Sequence, residues 1–383
     1  MNTHPKITRR HFLQASLASA TYLSLPAIAK GANKQKKRIV WVVLRGAQDS
    51  LHTVIPYSDS CLSKYRPTIV DKELLAHAHK LDKQFALHPK LTSLSQLYQQ
   101  GQLAPVVAVS SGYKGRSHFD GQDYLESGQV KFAYDSGWIN RLIESSHKSA
   151  LGVSKTMPIA LRGKEKAATW YPSSLKSASD DLYSALQKMY QNDERLLSSL
   201  KEGVAANNLV DKSEQKKRAG SFVNLAKNTA KLMLADNGPD VAMLEMNGWD
   251  THNRQKQRLA TQFEQLDNGI AALKAGLDQH WNDTLVIVST EFGRTVKENG
   301  TAGTDHGTAS CMFLAGGRLK GGRVLGTWPG LKEPDLFQGR DLMPTSNQFD
   351  WIGNAIASHW QLSAGQTKQV FPLLDRAIPN LFG

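Results

Sequence analysis

Apolar, β-branched runs recur along the chain at intervals that leave room for helices between them. Residues 38–44 read RIVWVVL, a stretch too apolar for a half-exposed strand and suited to one buried on both faces. Similar runs stand at 106–109, 158–161, 241–246, 285–289 (LVIVS) and 312–315 (MFLA), and each predicts a short buried strand. Helical or turn-rich sequence separates them. Such alternation predicts an α/β fold, with a mostly parallel central sheet and helices on both faces. The clearest helix carries Leu259, Phe263, Leu266, Ile270, Leu273 and Leu277 at spacings of four and three, with polar residues between, so that one stripe packs on the sheet. Residues 178–235 break the rhythm. Leu182, Leu186, Met189 and Tyr190 open a polar, Lys/Glu-rich stretch without a strand candidate, which predicts a helical insertion or cap.

The first 29 residues have a different pattern. Thr8-Arg9-Arg10-His11-Phe12-Leu13 leads into a weakly apolar segment ending Ala27-Ile28-Ala29, the pattern of a twin-arginine export signal with a small-x-small cleavage site. Gln14, Ser16, Ser19, Thr21, Ser24 and Pro26 interrupt that segment, leaving it too polar for a stable membrane span. The expected mature protein begins near Lys30, carries no membrane span, and reaches the periplasm or exterior through the twin-arginine translocase. Residues 30–37 then read as a basic linker, and 38–383 as the folded domain.

Charge and cysteine content narrow the function. The formal net charge is +13, and removal of residues 1–29 leaves 44 basic against 34 acidic residues. The lysines are scattered among acids rather than gathered with aromatics, which together with export argues against nucleic acid as a partner. Cys61 and Cys311 are the sole cysteines, so neither a disulfide scaffold nor a cysteine-based zinc site is available.

In parallel α/β sheets the loops after strand C-termini share one crevice, and four polar clusters occupy such positions. Asp49 follows the first strand and is a candidate metal ligand or a turn cap. Ser117 precedes a predicted helix at 118–126 as its natural N-cap, where a nucleophile or oxyanion also gains from the helix dipole. His118 beside it is a candidate ligand or base, or a packed histidine. Asp250 and His252 stand two apart after the run at 241–246, so in extended geometry they share a side and can grip one ion. Glu291, Asp305 and His306 form the richest cluster, supplying hard ligands at the end of a buried strand. Arg294 competes there as a plain ion-pair partner of Glu291.

The ordered motifs VVLRGAQDSLHTV, FALHPKL, RSHFDGQDYLESG, GWDTH, STEFGRTVKENG and GTDHGTAS, followed by AGGRLKGG, resemble the bacterial family DUF1501 over nearly the whole mature chain. That family is placed with the alkaline phosphatase-like superfamily of sulfatases, phosphodiesterases and cofactor-independent phosphomutases. The resemblance implies a paired-metal hydrolytic site, and the expected cofactor is a divalent metal, Zn, Mn, Mg or Ca. In it Asp49 looks like the first ligand, Ser117 the nucleophile, Asp250 with His252 the third group, and Glu291 with His306 the last. GTDHG also resembles the segment carrying the final histidine ligand of the phosphomutases. The chain departs from the superfamily where its strand-end Asp-His pair becomes Glu291-Phe292, and where the Asp-to-His spacing shrinks to Asp250-Thr251-His252. Two expectations follow. One is a hydrolase for a small anionic phosphate or sulfate ester, with Arg45, Lys114, Arg116 or Arg294 binding the anion. The other is a non-catalytic periplasmic binding or assembly factor that keeps the fold and serves an unknown partner.

Overall fold

The computed structural model describes residues 36–129, 134–172, 180–209, 220–379 and 381–382, so the export signal and most of the basic linker lie outside the described residues. The account below concerns the compact unit beginning at Lys37.

Its strands are β1 (Arg38–Arg45), β2 (Val54–Ile55), β3 (His79–Lys80), β4 (Ala86–Leu87), β5 (Leu103–Ser110), β6 (Ala150–Val153), β7 (Ala168–Thr169), β8 (Val241–Asn247), β9 (Thr284–Ser289), β10 (Ser310–Ala315) and β11 (Ser346–Asn347). Among the described residues the central sheet has eight strands in the order β11-β5-β10-β9-β1-β8-β6-β7, and β2, β4 and β3 form a small antiparallel sheet. β1 lies parallel between β8 and β9, with Val42 opposite Leu244 on one side and Val288 on the other. β10 is antiparallel to both its neighbours, β5 and β9.

The continuous apolar run of β1 has the expected cause. Val40, Val42 and Leu44 point into one core and Ile39, Trp41 and Val43 into the other, so both faces are covered. Helices Thr92–Gln99, Phe222–Leu234 and Gln255–Leu277 supply the first core, while Trp138–Ser146 and Gln348–Trp360 supply the second. All six apolar residues of the predicted long helix are buried.

Two expectations change. The run at 158–161 is not a strand: Ile159–Leu161 is a 3₁₀ turn behind Pro158, whose ring removes a ladder donor, and the sheet instead takes Ala150–Val153 beside β8. Within 178–235, helices Asp180–Met189 and Glu194–Leu209 are followed by Phe222–Leu234, which is core. Phe222, Leu225, Ala226, Ala230 and Met233 are buried in the same core as the long helix, so the last part of that stretch covers the sheet. No helix among the described residues is long and apolar enough to cross a membrane.

Candidate metal centre

β1, β8 and β9 end at one edge of the sheet, and the segments leaving them meet there. Gly46, with φ +118, lets the β1 loop turn against Asp250, where a methyl group in place of its hydrogen would lie 2.5 Å from the Asp250 amide nitrogen. The Thr304 amide donates to the Thr251 carbonyl (3.1 Å) and Asn299 Nδ2 to the His252 carbonyl (3.0 Å). An isolated antiparallel bridge sets Arg294 opposite His306. His118 reaches the same place from the first turn of helix His118–Ser127.

Three imidazoles converge on one carboxylate. Asp250 Oδ1 lies 3.0 Å from His252 Nε2, 3.4 Å from His118 Nε2 and 3.4 Å from His306 Nε2. One ligand atom each from His118, Asp250 and His306 all fall within 4.8 Å of one another. The centre is open on one side, since the Asp250 side chain is 44% exposed.

Every imidazole is held at its other nitrogen. His118 Nδ1 donates to Glu291 Oε1 (2.7 Å), His252 Nδ1 to Asp305 Oδ1 (3.1 Å) and His306 Nδ1 to the Arg116 carbonyl (2.8 Å). A carbonyl or an ionised carboxylate can only accept, so each Nδ1 carries a proton, and in the neutral imidazole each Nε2 presents a lone pair inward. This is the arrangement in which a histidine's outer partner fixes its tautomer for metal ligation. His252 Nε2 and His306 Nε2 are 3.0 Å apart, where two lone pairs repel unless a proton or a cation lies between them. His118 Nε2 is buried, has no hydrogen-bond partner among the described residues, and lies 3.4 Å from Asp250 Oδ1. The donor set therefore fits a divalent cation of the kind that accepts imidazole nitrogen.

The local charges hold the carboxylates ionised. Burial pushes the Asp250 carboxyl up, but the Arg294 guanidinium outweighs it and brings the pKa down to about 2. Glu291 is fully buried; that burial is outweighed by hydrogen bonds from His118, Gln122 and the Gly46 amide, which lower its pKa. Burial alone would lower His118, yet the Glu291 hydrogen bond and charge, with Asp250, raise it. His306 is lowered, by burial first and by its neighbours His118 and Arg294, against the pull of the Arg116 carbonyl.

The expected ligands thus divide. Asp250, His252 and His306 meet, and His118, a candidate ligand or base, joins them as a fourth donor. Glu291 and Asp305, expected as ligands, stand behind His118 and His252 and orient them. Asp49 is elsewhere: it is fully buried, paired with Arg66 at 2.5 Å, accepts from the Leu51 amide and binds Gln255. With its oxygens spent on those donors it is a buried ion-pair partner. Arg294, expected as Glu291's partner or an anion binder, is buried and gives its donors to Asp250 and to the carbonyls of Gly46, Ala47, Trp249 and Thr304. Ser117 is the N-cap, its Oγ accepting from the Asp120 amide at 3.4 Å. Arg45 is bound by Glu126 (2.6 Å) and Glu245 (2.7 Å), and Arg116 by Asp341 (2.8 Å), while Lys114 is exposed. Phe292 fills the space beside the imidazoles, its ring 5.0 Å from that of His118 and 5.4 Å from that of His306.

An α/β protein with a strand-end cluster of imidazoles and carboxylates is the class that these features define. The family described as "Protein of unknown function (DUF1501)" matches residues 36–371, and the chain belongs to it. No curated protein matches the chain. Similar solved structures include the alkaline phosphatase of the Antarctic bacterium TAB5, at 12% identity and TM-score 0.36 over 76% of this chain and 95% of that one. Murine ectonucleotide pyrophosphatase/phosphodiesterase 5, an inactive variant in complex with AMP, is similar at 9% identity and TM-score 0.40 over 86% of this chain and 96% of that one.

Proposed function

We propose that the protein is an exported, metal-dependent hydrolase of phosphate or sulfate esters, with one centre held by His118, Asp250, His252 and His306. The observation supporting it is the convergence of three imidazoles, each anchored at Nδ1, on a single carboxylate. A nitrogen-rich donor set suits zinc or another borderline cation better than calcium or magnesium, which take oxygen. Bound there, such a cation supplies Lewis acidity to a phosphoryl or sulfuryl oxygen.

The chain's own residues do the rest. Glu291, Asp305 and the Arg116 carbonyl hold the imidazoles, and Arg294 holds Asp250. Ser117 is the nucleophile in this reading. It stands at the start of a ten-residue helix, whose dipole favours a developing anion, and its hydroxyl caps the helix as an acceptor from the Asp120 amide. The ester class rests on the motif resemblance, and export on the Arg9-Arg10 pair and the site ending at Ala29.

One observation favours a second reading, a binding protein without turnover: Arg294 already neutralises Asp250. Zinc titration of the purified protein, with assays on aryl phosphate, aryl sulfate and phosphodiester, separates the two. One equivalent of zinc, with turnover lost in Ser117→Ala, is the expected result. Binding without hydrolysis under Zn, Mn, Mg or Ca would favour the second reading, and no metal binding would remove the centre altogether.

A further inference from the structure

Asp341 belongs to none of the motifs discussed above, yet its side chain is fully buried, where an ionised carboxylate is costly without partners. Its partners are specific. Oδ2 accepts from Arg116 Nη2 (2.8 Å) and Thr308 Oγ1 (2.9 Å), and Oδ1 lies 3.4 Å from Arg340 Nη1. Both arginines touch His306. The Arg116 carbonyl receives the His306 Nδ1 proton, and Arg340 Nη2 donates to the His306 carbonyl at 2.9 Å.

Arg116 also has φ +56, a left-handed backbone that a residue with a side chain rarely adopts unless something holds it. In that conformation its carbonyl accepts from His306 Nδ1. Its guanidinium is tied at the far end to Asp341 and to Gln338 Oε1 (3.1 Å). The turn carrying Asp341 is itself closed, the Phe337 and Asp341 amides each donating to the other's carbonyl at 2.8 and 3.0 Å.

We propose that Asp341 is a positioning residue for the metal centre: by tethering the Arg116 side chain it fixes the carbonyl that orients His306. This rests on the metal-centre reading and deepens it. Outer partners of ligating histidines are typically worth about 10–100-fold in metal affinity.

The test is a double-mutant cycle read by zinc affinity, with cobalt absorption as a second signal for the geometry at the centre and thermal unfolding as a control. Asp341→Asn is expected to weaken zinc binding about tenfold or more and to alter the cobalt spectrum. In an Arg116→Gly background, where glycine holds the left-handed backbone without a tether, the same substitution is expected to leave affinity unchanged. Equal losses in both backgrounds would overturn the proposal, as would unchanged affinity in Asp341→Asn alone. Should Asp341→Asn not fold, Arg116→Met, which cuts the tether from the other side, is expected to show the same loss, and full affinity there would also overturn the proposal. Absence of zinc and cobalt binding by the wild type would instead defeat the metal-centre reading itself.

Discussion

Asp49 and Asp250 each follow a parallel strand at the same edge of the sheet, and they do opposite things. Asp49, three residues past the turn at Gly46, faces inward, where Arg66 and Gln255 surround it and His52 lies against Gln255 (Nε2 to Nδ1, 3.3 Å). Arg66 gives its remaining donors to the carbonyls of Thr295 and Val296. Asp250 faces outward and, beyond Arg294, meets the Nε2 atoms of three histidines. A carboxylate at a strand end is therefore only an opportunity. What separates the two is whether its partners enclose it, as Arg66 and Gln255 enclose Asp49, or leave it facing solvent among imidazoles, as at Asp250.

The sharpest way to break this contrast is at Arg66. Arg66→Met leaves Asp49 charged and buried, and removal of one partner from a buried pair costs about 3–5 kcal/mol. Denaturant unfolding should show that loss with zinc stoichiometry unchanged; a simultaneous loss of metal would merge the two regions into one site. The next largest effect is on acidification. Burial lowers the His52 pKa to about 4, so the folded state resists a proton that the unfolded chain accepts near pH 6.5. Stability is complete above pH 6.5 and falls as the pH drops toward 4, by about 3 kcal/mol for this one residue. His52→Gln should flatten that part of a stability-against-pH curve.

Smaller effects sharpen the outward-facing half. Glu291→Gln removes the charge behind His118 and should weaken zinc binding about 10–100-fold, or roughly 1.4–2.7 kcal/mol, in a calorimetric titration. Ser117→Ala should cost only about 1 kcal/mol of stability as a lost cap, while abolishing any ester hydrolysis. A variant that keeps full turnover would leave Ser117 a cap alone.

The sheet was legible where residues were buried on both faces, because β1, β8 and β9 then have continuous apolar runs. It was not legible at 158–161, where an apolar run behind Pro158 forms a 3₁₀ turn, since composition cannot tell a buried strand from a buried turn. The site was legible as far as local spacing reached: Asp250, His252 and His306 could be picked out beside strand ends. Asp49 misled because Arg66, 17 residues on in an unremarkable stretch, is buried against it, and no local pattern signals that. Asp341 was invisible for the same reason, being 225 residues from the Arg116 it holds. Glu291 and Asp305 were found, but their place behind His118 and His252 was not, because spacing along the chain does not show which of two neighbouring polar groups stands in front.

β10 runs against its neighbours, and this direction decides which residues reach the sheet edge together. A parallel return from β9 would have needed a crossover along the face of the sheet. The antiparallel return lets the chain leave the edge at Ser289 and re-enter at the same edge at Ser310, so Glu291, Arg294, Asp305 and His306 sit on one excursion between two paired strands. Because both ends of the excursion are paired and its middle is bonded to Gly46, Ala47 and Arg66, these four side chains arrive at the edge as one unit, and a change in its length would displace all of them from Asp250 and His252 together.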